Sequence, residues 1–318
     1  MNKKVKKLLV FSAFATAGIY YANRVINYTA TLKNLLSDDN GEYYKWKNGD
    51  IFYTIHGNGE PLLLVHDLHP ASSSAEWSKL MKRLEKNHTV YSIDLPGCGR
   101  SDKPSITFTN YYFVQLLNDF VKDVIGKKTK LIATGSSGSF AIMANAMNPD
   151  NFEKVIVINP ESLESLTEQP NKLNLAYKHL LDIPIFGTFI YNIKMHENNI
   201  SKLFREKYYF KPSIVSTKLE DTYFEAAHIG HGTGRHLLSS ICANYTKISV
   251  SHVLPKLDNI YLIQSRKLPS GMQTIDGYTN ENCNIETAYI SNSKYLPQLE
   301  VPEKLAEILN MFLTDETK

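Results

Sequence analysis

The sequence is poor in cysteine, and the three it has, Cys98, Cys242 and Cys283, are far apart and odd in number. That excludes a disulfide framework and a metal-spaced thiolate set. Sixteen glycines and thirteen prolines in 318 residues are too few for a collagen-like or disordered chain. An excess of one charge is also missing. The 35 basic and 32 acidic residues leave a net charge of +3, so no bulk electrostatic case exists for a nucleic-acid partner. No repeat and no low-complexity tract is present. His228, His231 and His236 have no suitably spaced carboxylate or thiolate, so no metal site is expected. The glycines between them do not follow a strand, which argues against a phosphate loop. No cofactor is expected.

What is present describes a globular protein: 43% hydrophobic and 21% charged residues, in a length that suits one large α/β domain or two ordinary ones. The N-terminus stands apart. Lys3, Lys4, Lys6 and Lys7 precede an uncharged run from Leu8 to Ala22, which closes at Asn23-Arg24. As a helix this run spans roughly 22 Å, short of a hydrocarbon core of about 30 Å. Val25 and Ile26 lengthen it, and Arg24 can snorkel. The expectation is a retained single-pass membrane anchor over 1–27, with a cleaved signal peptide and a buried helix of a soluble protein as the alternatives. The basic flank places the N-terminus inside and the domain on the extracytoplasmic side.

A linker over 28–41, polar near Ser37-Asp38-Asp39-Asn40, leads into alternating elements. Tyr43–Lys47 and Ile51–His56 flank Asn48-Gly49, a hairpin signal. Apolar strand candidates follow at Pro61–His66, Thr89–Asp94, Leu131–Gly135 and Val155–Asn159, then much later at Ile260–Gln264 and Thr287–Ser291. Helical stretches separate them, at Glu76–Lys86, Tyr111–Ile125, Phe140–Met147 and Pro302–Leu313. Near-continuous apolar strands between helices predict a mostly parallel sheet covered on both faces. Residues 161–250 break the alternation and look helical throughout, too long a stretch for a loop. The organisation expected is a core of 42–160 and 251–318 with a helical cap at 161–250.

Four local patterns then give the chain a resemblance to the α/β-hydrolase family over about residues 42–315. His66-Asp67-Leu68-His69 follows a strand where that family has His-Gly and builds half of its oxyanion hole. Asp94-Leu95-Pro96-Gly97-Cys98-Gly99-Arg100-Ser101 is close to its D-x-P-G-x-G-x-S turn. Gly135-Ser136-Ser137-Gly138-Ser139 lies between strand and helix, and Leu299-Glu300-Val301-Pro302-Glu303 opens the last helix. The resemblance implies an eight-stranded, mostly parallel sheet with a capping insertion. It also implies a serine-type hydrolase acting on hydrophobic ester or acyl substrates. The apolar cap segment Ile183–Tyr191 would line the pocket for them.

A nucleophile elbow needs small residues two before and two after the serine. Gly135 and Ser139 satisfy this around Ser137, and a shifted register through Thr134 and Gly138 selects Ser136 instead. The backbone N–H groups of Leu68 and Gly138 are the candidate oxyanion donors. The triad's other positions are degraded. The acid position reads Leu268, and the ungapped segment before the last helix places Tyr295 where the family has histidine. No histidine follows His252. Tyrosine, with a pKa near 10, is a poor base. His69 in the oxyanion loop is the substitute base by topology, with Asp67 as its partner or as a turn cap, and Glu161 stands where some relatives carry another acid. Cys98 is read as structural. The alternative function is a silent relative that binds a small apolar ligand or a membrane partner.

Overall fold

The computed structural model describes residues 2–37 and 41–314; positions 38–40 of the expected linker lie outside the described residues. Eight strands form one sheet: β1 (Gly41–Trp46), β2 (Gly49–His56), β3 (Glu60–Val65), β4 (His88–Ile93), β5 (Thr129–Thr134), β6 (Phe152–Ile158), β7 (Ile260–Ser265) and β8 (Glu286–Ile290). Their order is β1-β2-β4-β3-β5-β6-β7-β8. The β1/β2 and β2/β4 pairs are antiparallel; every other neighbour is parallel. The eight-stranded, mostly parallel sheet expected from the sequence is therefore the one observed. Its central strands are buried on both faces because helices cover both. In β3, Leu63 and Val65 face one apolar cluster while Leu62 and Leu64 face the other, as the two-residue period of a strand requires.

The helices are α1 (Lys3–Ala30), α2 (Ser78–Leu84), α3 (Asn110–Phe120), α4 (Ser137–Met147), α5 (Lys172–Asp182), α6 (Phe186–Lys194), α7 (Glu197–Leu203), α8 (Thr217–His228), α9 (Arg235–Cys242), α10 (Gly271–Glu281), α11 (Pro297–Glu300) and α12 (Pro302–Leu313). Between β6 and β7 the described chain runs through helices alone. These five, α5 to α9, form the cap. A separate apolar cluster joins it to the core, with Tyr191, Phe204, Tyr208 and Tyr223 against Ala71, Leu296 and Leu299.

The N-terminal segment corrects an expectation. Among the described residues no helix is long and apolar enough to cross a membrane, so the single-pass span is not supported. The run is interrupted by Ser12, Thr16 and Gly18 and ends at two tyrosines and an asparagine. Its last third docks on the cap. Asn23 Nδ2 donates to Ile185 O at 2.9 Å, and Asn192 Nδ2 donates to Asn23 Oδ1 at 3.0 Å. Ahead of this dock the helix is bare: Phe11 is 72% exposed and Phe14 75%.

Asp94, at the end of β4, ties several loops together. Burial alone would raise its carboxyl, but the Arg100 guanidinium outweighs burial and holds it down at about 2. Arg100 Nε approaches Asp94 Oδ2 at 2.9 Å, Ser74 N donates to Oδ1 at 2.7 Å, and the guanidinium lies 3.7 Å over the Phe52 ring. Arg100 also donates to Leu36 O at 3.1 Å, which fastens the segment after α1 to the core. Removing one partner strands the other charge in low dielectric. Arg100→Ala is expected to cost about 3–5 kcal/mol in urea unfolding. An Arg100→Met, Asp94→Asn pair should lose distinctly less.

Candidate functional site

The turn after β5 is built from small residues because it is crowded. Gly135 is its left-handed residue, at φ +58°. A Cβ placed there would run into the Tyr295 hydroxyl and the Asp67 carboxylate. Ser136 is already right-handed, at φ −60° and ψ −31°, and Ser137 begins α4. The strained point of a strand-to-helix elbow, where a nucleophile is presented, thus coincides with Gly135. The side chains of the two following serines leave in other directions. Ser137 is fully buried, and its Oγ donates to His66 O at 2.7 Å. Ser136 is half-buried, and its Oγ donates to Glu161 Oε1 at 3.1 Å. Both Glu161 oxygens also accept from Lys247 Nζ at 2.9 Å.

Asp67 occupies the space in front of Gly135. Its Oδ1 accepts from Ser136 N at 2.9 Å, and the Leu68 N–H and the Tyr295 hydroxyl face the same carboxylate and favour its charge. These N–H groups belong to the residue after Gly135 and to the oxyanion loop, the two places from which the elbow architecture draws its oxyanion donors. Here an internal carboxylate holds the first and faces the second. The N–H of Gly138 is turned back to Gly135 O at 3.1 Å, and Val157 packs against the Cα of Gly138. Burial pushes the Asp67 carboxyl up to about 6, against these hydrogen bonds.

Tyr295 reaches Asp67 from the loop before α11. Asn159 Nδ2 holds that loop through Tyr295 O at 2.9 Å and Lys294 O at 3.0 Å. The Tyr295 ring stacks on Tyr208 of the cap, with centroids 5.4 Å apart and planes 11° apart. Burial, then the nearby Asp67 charge, drives its hydroxyl well above the ordinary tyrosine range. It donates and does not serve as a base. Leu268 lies beyond β7 with its N–H on Ser265 O at 3.2 Å.

His69 does not join this group: among the described residues no hydrogen bond links it to Ser136 or Ser137. Its Nδ1 accepts from Ala71 N at 3.2 Å, so the neutral ring carries its proton on Nε2. Burial pushes its pKa down to about 4. The ring lines a cavity of about 270 Å³ under the cap, with Tyr177, Met195, Ile200, Leu238 and Cys242. Buried Cys98 donates to His69 O at 3.3 Å, and burial holds its thiol far above the ordinary range.

A residue the sequence left unmarked completes the polar cluster. Glu76 is fully buried. It accepts from Tyr223 of α8 at 3.0 Å and from Asp67 N at 3.2 Å. Burial and the Asp67 charge push its carboxyl up to about 8. The three histidines of the cap separate as well. His228 turns to Phe224 O at 2.7 Å and His236 to Asp182 at 3.1 Å, and no metal-holding cluster occurs among the described residues.

Comparison with known proteins is consistent with this architecture. A family model described as alpha/beta hydrolase fold matches residues 50–201. The chain is 27% identical over 115 residues to a 2-hydroxy-6-oxo-6-(2'-aminophenyl)hexa-2,4-dienoic acid hydrolase of Metapseudomonas resinovorans, a match covering 36% of each chain. It is 26% identical over 130 residues to a soluble epoxide hydrolase of Corynebacterium sp. (strain C12), over 40% of this chain and 45% of that one. The chain thus spans between about a third and a half of the length of these relatives. Among solved structures, a bacterial membrane phospholipase A superposes with a TM-score of 0.67 over 98% of both chains at 17% identity. A serine hydrolase involved in carbazole degradation gives 0.70 over 86% of this chain and 98% of that one, at 14% identity.

Proposed function

We propose that this chain, an α/β-hydrolase fold by its sheet and its comparisons, is a silent relative that binds and does not hydrolyse. The observation that carries the reading is the Asp67 carboxylate, seated on the Ser136 N–H and facing the Leu68 N–H in front of a glycine. An ester oxyanion would have to displace a like-charged group from those donors. No imidazole stands by to take a serine proton, and Tyr295 is held protonated. The cavity beside His69 is the place for a small apolar ligand: its walls are largely apolar, and the His69 Nε2–H offers it one donor. The exposed apolar start of α1, flanked by four lysines, supports contact with a lipid surface.

One observation favours a second reading, a weak serine hydrolase. Ser136 Oγ is bonded to Glu161, a carboxylate that could accept its proton. Ser137 has less support, since its hydroxyl is buried on a backbone carbonyl. A fluorophosphonate, which reacts with activated serines, separates the two. The full chain is expected to remain unlabelled over hours while a control serine hydrolase labels. Labelling that disappears in Ser136→Ala or in Ser137→Ala would replace the silent reading with the enzymatic one.

A further inference from the structure

A second cavity, of about 410 Å³, lies between α1 and the cap. Tyr20, Arg24, Asn27 and Tyr28 line it from one face of α1, and Ile185 and His231 from the cap. Asn27 is only 2% exposed. Its Nδ2 donates to Asn23 O at 2.8 Å, which fixes the amide, and its Oδ1 has no partner among the described residues. A buried acceptor left unpaired is costly. Asn23 beside it is fully used, giving to Ile185 O and accepting from Asn192. Ile185 itself sits at φ +67° and ψ −58°, in a tight turn closed by Phe186 N on Pro184 O at 2.7 Å. That is a strained backbone for a β-branched residue. Arg24 is exposed and in no ion pair among the described residues. The helix carries Lys3, Lys4, Lys6, Lys7 and Arg24 and no acid.

We propose that this cleft binds a phosphodiester whose head bears free hydroxyls, as in phosphatidylglycerol. Arg24 pairs with the phosphate, and a head hydroxyl donates to Asn27 Oδ1. The all-basic helix selects an anionic head over a zwitterionic one. This goes beyond the lipid contact proposed above, which needs the apolar start of α1 and neither of these side chains.

The test is calorimetric titration of the full chain in detergent with glycerophosphoglycerol, glycerophosphocholine and inorganic phosphate. Glycerophosphoglycerol is expected to bind at least about tenfold tighter than either of the others. Arg24→Gln and Asn27→Ala should each weaken it about tenfold, the loss of one hydrogen bond to a charged or buried group. Arg24 is exposed, so its variant keeps the test valid even where Asn27→Ala unfolds. Sedimentation with phosphatidylglycerol vesicles separates the two membrane readings: Phe11→Ser with Phe14→Ser should lose sedimentation and keep glycerophosphoglycerol binding. Absence of that binding, equal binding of inorganic phosphate alone, or an Arg24→Gln chain that titrates like the parent would overturn the proposal.

Discussion

A chain carrying Gly135→Ser, Asp67→Gly and Tyr295→His together should become reactive toward a fluorophosphonate, at least about 10³-fold faster than any of the three single variants. The reason is that each change repairs one part of a machine whose parts act as a unit. Gly135→Ser alone places a Cβ against the Tyr295 hydroxyl and the Asp67 carboxylate. It also puts an L-residue at φ +58°, a conformation that costs about 1–2 kcal/mol. Its hydroxyl would face a carboxylate and a phenol that keeps its proton, so no thiol-like or alkoxide-like nucleophile results. Asp67→Gly alone frees the Ser136 and Leu68 N–H groups, a pair whose members are each worth about 10²–10³ in rate where a nucleophile exists, but supplies none. Tyr295→His alone supplies a base with nothing to deprotonate. Intact-mass spectrometry after a timed exposure reads the result directly. Equal labelling of the Gly135→Ser chain would show that Asp67 does not block the donors. A folded triple variant that stays unlabelled would show that Gly135 is not the apex of the elbow.

The sheet was legible because its strands are nearly continuous apolar runs, and each expected run coincides with an observed strand to within three residues at either end. Burial on two faces leaves that trace in the residues themselves. The register of the elbow was not legible for an equally physical reason. Thr134-Gly135-Ser136-Ser137-Gly138-Ser139 is small at nearly every position, so the requirement for small flanking residues is met in more than one register. Only the backbone shows that φ turns positive at Gly135. The end of β5 shows it too: the strand stops at Thr134, one residue before the apolar run does, and leaves Gly135 as the first residue free to turn. Tyr295 could be placed by an ungapped reading from the last helix, but its partner could not, since Asp67 lies on a distant loop. Glu76 shows the limit most plainly. In sequence it is an acid at a helix start, where solvation is the ordinary fate. It is buried by Tyr223, 147 residues away. The N-terminal run differs: its interruptions at Ser12, Thr16 and Gly18, which leave it too little apolar to span, stand in the sequence, whereas the docking of Asn23 on the cap is a tertiary event.

Glu76 also makes the stability of the chain depend on pH, with a sign opposite to the common carboxylate case. Its folded pKa is raised from 4.5 to about 8, so the folded chain holds a proton that the unfolded chain has lost between those values. Stability therefore falls as pH rises through that window. Asp67, raised to about 6, adds to the fall in its lower half. His69, lowered to about 4 by burial, opposes it there, because the unfolded histidine keeps its proton up to about 6.5. Asp94, held at about 2, acts only in acid. Lys103, lowered to about 8 by burial, turns the slope upward above pH 8. Between pH 6.5 and 8 the Glu76 proton alone costs roughly 2 kcal/mol at about 1.4 kcal/mol per pH unit, while His66, His69, His88, His228 and His236, all lowered by burial and still partly protonated in the unfolded chain near pH 6.5, oppose it. Glu76→Gln keeps an acceptor for Tyr223 and removes this titration alone, so the parent should lose roughly 2 kcal/mol relative to it between pH 6.5 and 8. Urea midpoints at pH 6.5, 7.25 and 8 measure both curves. A difference between the two chains that holds constant over that interval would mean that Glu76 is ionised in the folded chain, with Tyr223 and the Asp67 N–H sufficient to keep its charge beneath the cap.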